Sequence, residues 1–172
     1  MSGELGILAA TERTELVNGE VIPMIAKGFA HTSAVLRTQE CFQALGRRVF
    51  VRAQNPIRLD NYSEPEPDIV IARRAPLAYS NHHPNPDEVL LVIEVADSSL
   101  KYDLETKAPM YAAAGIKDYW ILDVIERQLY TFRQPKDSRY QAQSILAETL
   151  EVSPLAFDEL IIQIADLLPP LA

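Results

Sequence analysis

A run of five apolar residues that ends in a carboxylate constrains this chain most. Val89-Leu90-Leu91-Val92-Ile93 reads as a central strand covered on both faces, because a half-exposed strand would alternate. Glu94 follows directly, so a charge falls within a buried layer of the sheet. Side chains two apart share a face, which groups Glu94 with Leu90, Val92 and Ala96 and turns Val95 the other way. A carboxylate there loses its water and needs a partner. Asp68, after Pro67, opens a second apolar run, Ile69-Val70-Ile71-Ala72, and Lys107 lies four residues beyond Asp103.

The rest of the chain reads as a mixed α/β domain on one sheet. Thr14 to Met24 predicts a hairpin, with Asn18-Gly19 supplying the positive φ angles of a tight turn. His31 to Leu45 predicts an amphipathic helix, since Ala34, Val35, Thr38, Phe42 and Leu45 recur at spacings of three and four, and Gly46 suits its C-cap. Strands are expected at Val49–Gln54, Asp68–Ala72, Val89–Val95, Tyr119–Leu122, Arg127–Phe132 and Arg139–Ile145, with a turn over Pro135–Ser138. The prolines and asparagines of Pro76–Asp87 predict a surface loop. A helix is expected over about Tyr102–Ala114, capped by Gly115, with Pro109 awkward inside it. Pro154–Leu168 predicts a short terminal helical segment.

At 172 residues the chain suits a single domain, with residues 1–12 expected to be a peripheral or poorly ordered N-terminal segment. Cys41 is the only cysteine, so no internal disulfide forms. That suits a cytoplasmic protein, as does the lack of a basic segment ahead of the N-terminal apolar residues. No run approaches the length of a membrane span. The formal net charge of −8 argues against strong nonspecific DNA binding, although arginines concentrate between Arg47 and Arg74.

Two carboxylates on adjacent buried strands, with a backbone oxygen such as the Val95 carbonyl, make an all-oxygen site suited to Mg²⁺ or Mn²⁺. Such an ion polarises a phosphoryl oxygen and acidifies water, and Lys107 would steady the developing negative charge. The leading expectation is therefore a metal-dependent phosphodiesterase with Asp68, Glu94 and Lys107 at its centre. A salt bridge from Glu94 to Lys101 or Lys107 is the plainer alternative.

Pro67-Asp68 followed by Glu94-Val95-Ala96 resembles the PD-(D/E)XK nuclease signature. The longer series is more specific. Glu64-Pro65-Glu66-Pro67-Asp68, Val92 through Ser99, Tyr102-Asp103 with Lys107 and Tyr111, then Gly115-Ile116 and Tyr119-Trp120-Ile121 resemble the Uma-type putative restriction endonuclease family. The resemblance runs from about Glu15 to the C-terminus. It implies a restriction-endonuclease-like fold, a central mixed sheet flanked by helices. It implies hydrolysis of DNA by metal-activated water, with Asp68 and Glu94 as Mg²⁺ (or Mn²⁺) ligands. Duplex DNA is the expected substrate and a homodimer the expected assembly. The signature's lysine, two residues after the glutamate, is Ala96 here. The resemblance transfers that role to Lys107 on the following helix.

His31, Glu20, Gln54 and Asp103 are candidate supporting residues. His31 begins the first helix, Glu20 (or Glu15) flanks the hairpin turn, Gln54 ends a strand, and Asp103 could orient Lys107 as an i,i+4 partner. Ala96 and the acidic net charge keep two other readings open. One is a catalytically inactive nuclease-like module that binds nucleic acid or protein. The other is a structural homo-oligomer whose carboxylates form a salt-bridge network.

Overall fold

The sheet is six strands wide, and its order follows the chain without a crossing. A computed structural model describes residues 13–172; the expectation for residues 1–12 lies outside the described residues. β1 (Thr14–Val17) and β2 (Glu20–Pro23) form the predicted antiparallel hairpin, turning through Asn18 and Gly19 at φ 49° and 82°. α1 (Phe29–Phe42) follows, then a 3₁₀ segment, Gln43–Arg48. The predicted helical face is buried as expected: Ala34, Val35, Thr38 and Phe42 on α1, and Leu45 beyond it. The C-cap of α1 is Gln43, so Gly46 does not end that helix; it sits at a kink inside the 3₁₀ segment.

β3 (Val49–Ala53) pairs antiparallel with β4 (Ile69–Arg73), and β4 pairs antiparallel with β5 (Val89–Ala96). The helical stretch between β5 and β6 is α2 (Leu100–Tyr102), a π turn (Asp103–Lys107) and α3 (Ala108–Ala113). It carries the chain over to β6 (Asp118–Asp123), which pairs parallel with β5. β7 (Gln128–Lys136) and β8 (Arg139–Ala147) complete the sheet in the order β3-β4-β5-β6-β7-β8. One parallel pair among antiparallel ones makes it the expected mixed sheet.

Both faces of the sheet are covered, which explains the unbroken apolar run of β5. Ile69, Ile71, Leu91, Ile93 and Val95 pack with Ala34, Phe42 and Trp120 on one side. Val70, Val92, Ala96, Tyr119 and Ile121 pack with Tyr111 and Met110 on the other. Glu94 therefore enters the second layer, where its neighbours are apolar.

Two expectations are corrected. Pro154–Leu168 is not one helical segment: β9 (Glu151–Val152) pairs with β10 (Ile162–Gln163), and only α4 (Ile164–Leu167) is helical. Turns over the intervening residues bring that short ladder together. The predicted turn over Pro135–Ser138 narrows to its second half, because Pro135 and Lys136 still pair with Tyr140 and Arg139 and the chain reverses at Asp137, φ 56°.

Candidate active site

Pro109 explains the geometry that delivers the lysine. A proline lacks the N–H that would bond four residues back, and its ring crowds that carbonyl. Here the helix widens by one residue just before it: the Ala108 N–H donates to the Asp103 carbonyl, five residues back. Pro109 then falls in the first turn of α3, where no donor is required. Single π turns of this kind recur at functional sites. This one buries both Asp103 and Lys107, so their side chains turn inward together. The stretch ends in a Schellman arrangement. The Ile116 N–H donates to the Tyr111 carbonyl, the Gly115 N–H donates to the Ala112 carbonyl, and Gly115 takes φ 80°.

Lys107 Nζ donates to Glu94 Oε1 at 2.9 Å and lies 3.3 Å from Glu15 Oε2. The Tyr111 hydroxyl, one turn further along the helix, donates to the same Glu94 oxygen at 3.0 Å. The other Glu94 oxygen accepts the Asp68 N–H at 3.3 Å. Asp68 stands just ahead of β4, level with the end of β5. Its Oδ2 accepts the Val95 N–H at 2.8 Å and lies 3.0 Å from His31 Nε2, while Lys27 closes on Oδ1. Ser99 donates to Asp103 at 2.7 Å. Tyr111 stands behind Glu94, and the other groups line one cleft of about 290 Å³, walled on its hairpin side by Ile22, Met24 and Ile25.

Burial sets the electrostatics. Asp68 and Glu94 are each 3% exposed and Lys107 is 6% exposed, so their charges depend on one another rather than on solvent. Burial pushes the Glu94 carboxyl up to about 8, with Lys107 opposing it and Asp68 and Asp103 reinforcing it. Burial likewise lifts Asp103 to about 6. Asp68 goes the other way: burial raises it, but the His31 hydrogen bond and the Lys27 charge outweigh burial and bring it to about 2. Burial would lower Lys107, yet Glu94, Glu15 and Asp103 more than offset that and hold the ammonium charged.

A pH dependence follows. In the folded chain Glu94 keeps its proton up to about 8, against an ordinary 4.5. Between those values the folded state binds the extra proton, so stability falls as pH rises. Asp103 adds to the decline between 3.8 and about 6. In metal-free buffer the thermal midpoint is expected to drop from pH 5 to pH 8, and Glu94→Gln to flatten that drop. An equal slope in the variant would locate the decline elsewhere.

The donor set fits a hard divalent cation. Four buried carboxylates, Glu15, Asp68, Glu94 and Asp103, face only two ammonium groups, Lys27 and Lys107. That leaves an excess of negative charge which a divalent ion would balance. Among the described residues no three acidic, histidine or cysteine side chains form a ready-made cage. Mg²⁺ needs none, since it is held by one or two carboxylates and completes its shell with water and substrate oxygens.

Of the sequence candidates, the structure brings together Asp68, Glu94, Val95, Lys107, Asp103 and His31. It does not bring Glu20, which is exposed on β2 outside the cleft. Glu15 points inward instead, because β1 buries Glu15 and Val17 in alternation. Gln54 acts only through its backbone, its N–H donating to the Asp68 carbonyl at 3.0 Å. Two participants escape the sequence reading. Tyr111 reads as core, though its i+4 position from Lys107 is a usable signal. Lys27 lies outside every periodic segment and carries no such signal.

Comparisons with known proteins bear on the family and the fold. The Uma2 family, described as putative restriction endonuclease, matches residues 4–165. A solved structure of a putative nuclease belonging to DUF820 from Anabaena variabilis has the same fold. It is 17% identical, with a TM-score of 0.72 over 90% of this chain and 88% of that one. No curated protein matches.

Proposed function

We propose that this chain, which belongs to the Uma2 family of putative restriction endonucleases, is a divalent-metal-dependent endonuclease acting on DNA phosphodiester bonds. The observation that carries the reading is the convergence of Asp68, Glu94 and a charged Lys107 in one cleft at the end of β5. Asp68 and Glu94, with the Val95 backbone carbonyl, would hold Mg²⁺ or Mn²⁺. Such an ion supplies charge that polarises a phosphoryl oxygen and makes water more acidic.

The chain's own residues do the positioning. Tyr111 and the Asp68 N–H hold the Glu94 carboxylate from opposite sides. The Val95 N–H and His31 both meet Oδ2 of Asp68, and Lys27 meets Oδ1. Lys107 keeps its proton and offers N–H donors to negative charge building on phosphate oxygens. It enters from the helix after β5, which answers the alanine at 96. Ile22, Met24 and Ile25 border the cleft on the hairpin side. Among the described residues no helix is long and apolar enough to cross a membrane.

The test is conversion of supercoiled plasmid to nicked and linear forms in Mg²⁺ or Mn²⁺, with Asp68→Asn purified alongside. Wild-type cleavage that disappears in the variant and in chelator is the expected result. Equal cleavage by both proteins would remove Asp68 from the chemistry. Absence of cleavage by wild type on duplex, single-stranded and branched DNA would favour a binding module that has lost catalysis.

A further inference from the structure

Arg13, Arg37, Arg48, Arg127 and Arg133 each meet a carboxylate. Among the described residues, Arg47, Arg52, Arg58, Arg73, Arg74 and Arg139 form no ion pair with one, in a chain whose net charge is −8. Arg52, Arg73 and Arg74 lie together near the sheet's first edge.

Two of the three sit over aromatic rings. The Arg74 guanidinium lies 3.8 Å from the centre of the Phe50 ring, and that of Arg52 lies 5.2 Å from the Tyr79 ring. The two rings meet edge to face, with centres 6.0 Å apart. Tyr79 is fixed by its hydroxyl, which donates to the Arg73 carbonyl at 2.7 Å. The turn that brings it there places Ala78 and Tyr79 in succession at φ 50° and 58°, a costly conformation for residues with side chains. Each guanidinium also gives one long bond to a backbone carbonyl, Arg52 to Pro56 and Arg74 to Val49, both at 3.4 Å, which leaves further N–H donors for phosphate and little freedom to lose on binding it.

Register ties this platform to the cleft. Arg52 pairs with Val70 and Phe50 with Ala72, while the Gln54 N–H bonds the Asp68 carbonyl. Opposite residues share a face, so Arg52 and Phe50 lie on the side of Asp68. They stand two and four residues along the ladder from it, about 7 and 13 Å. Among the described residues β3 is the edge strand, with no further strand of the sheet beside it.

We infer that Arg52 and Arg74, stacked on Tyr79 and Phe50, form a track for the phosphate backbone of a DNA strand leading into the Asp68–Glu94 cleft. The inference rests on the nuclease reading and adds where the strand lies. The track supplies local positive charge that the acidic chain otherwise lacks, and it contacts backbone rather than base edges.

Fluorescence anisotropy of labelled 20-nucleotide DNA (about that length), duplex and single-stranded, tests it in EDTA, where no cleavage intervenes. The comparison is wild type, Arg52→Gln/Arg74→Gln, and Lys136→Gln/Arg139→Gln, which removes equal charge at the β7–β8 turn. The platform variant is expected to bind about tenfold more weakly. Its slope of log affinity against log salt should fall by about 1.8 for duplex or 1.4 for single strand, two phosphate contacts in either case. The β7–β8 variant should match wild type, and all three should share a thermal midpoint. Wild-type affinity and slope in the platform variant overturn the inference while leaving the nuclease reading intact. So does aggregation of that variant with unchanged binding, which would make the arginines guards of an open edge. Failure of wild type to bind either DNA also overturns it, and the plasmid assay then judges the nuclease reading separately.

Discussion

Glu94→Gln is expected to lower plasmid cleavage by about 1,000-fold, or roughly 4 kcal/mol of transition-state stabilisation. The substitution keeps the shape of the side chain and removes its capacity for negative charge. Lys107 and Tyr111 can still donate to an amide oxygen. The amide nitrogen, however, would meet the Asp68 N–H that Glu94 Oε2 now accepts at 3.3 Å. Two donors would then face each other, costing about 1–2 kcal/mol. The fold should survive this, the more so near neutral pH, because Glu94 is itself protonated up to about 8 in the folded chain. Added Mn²⁺ should raise the thermal midpoint of wild type and leave that of the variant nearly unchanged. Cleavage within a few-fold of wild type would dismiss Glu94 as a metal ligand.

Lys107→Met should be the more damaging change to the fold, by about 3–5 kcal/mol at pH 8. Its ammonium is the shared partner of Glu94 and Glu15, and Asp103 adds to its field. Methionine fills much of the same volume but strands those buried carboxylates. The loss should shrink at pH 5, where Glu94 and Asp103, lifted to about 8 and 6, carry protons. Combining Lys107→Met with Glu94→Gln should recover part of the loss, since one stranded charge is gone. Urea unfolding of the single and double variants at both pH values measures all of this. A loss below about 1 kcal/mol at pH 8 would mean the lysine is not the keystone of the cluster.

Much of the fold was legible because local rules and tertiary packing agree. Asn18-Gly19 can hardly do other than turn, and the face from Ala34 to Leu45 has only one amphipathic reading. The unbroken run of β5 announced a strand covered on both sides. The C-terminal stretch was not legible. Apolar residues from Phe157 to Leu168 suit helical spacing, yet β9 and β10 pair across the nine intervening residues, 153–161, only once the rest of the sheet supports them. Pro135 misled for a similar reason: a proline near a sheet edge can stay in its strand, and the chain turns two residues later.

The candidate site divides in the same way. That Asp68 and Glu94 open and close apolar strands can be read along the chain, because a charge beside five apolar residues has few inexpensive explanations. So can the position of Lys107, with Asp103 one turn before it. Which charges meet depends on packing. The alternation of β1 turns Glu15 inward and leaves Glu20 exposed, and the π turn before Pro109 aims Lys107 at Glu94. The segment between β2 and α1 brings Lys27 to Asp68. Strand and helix periods are local and can be read along the chain. Ion pairing between segments depends on how those segments pack, and burial then makes each pairing far stronger than it would be in water.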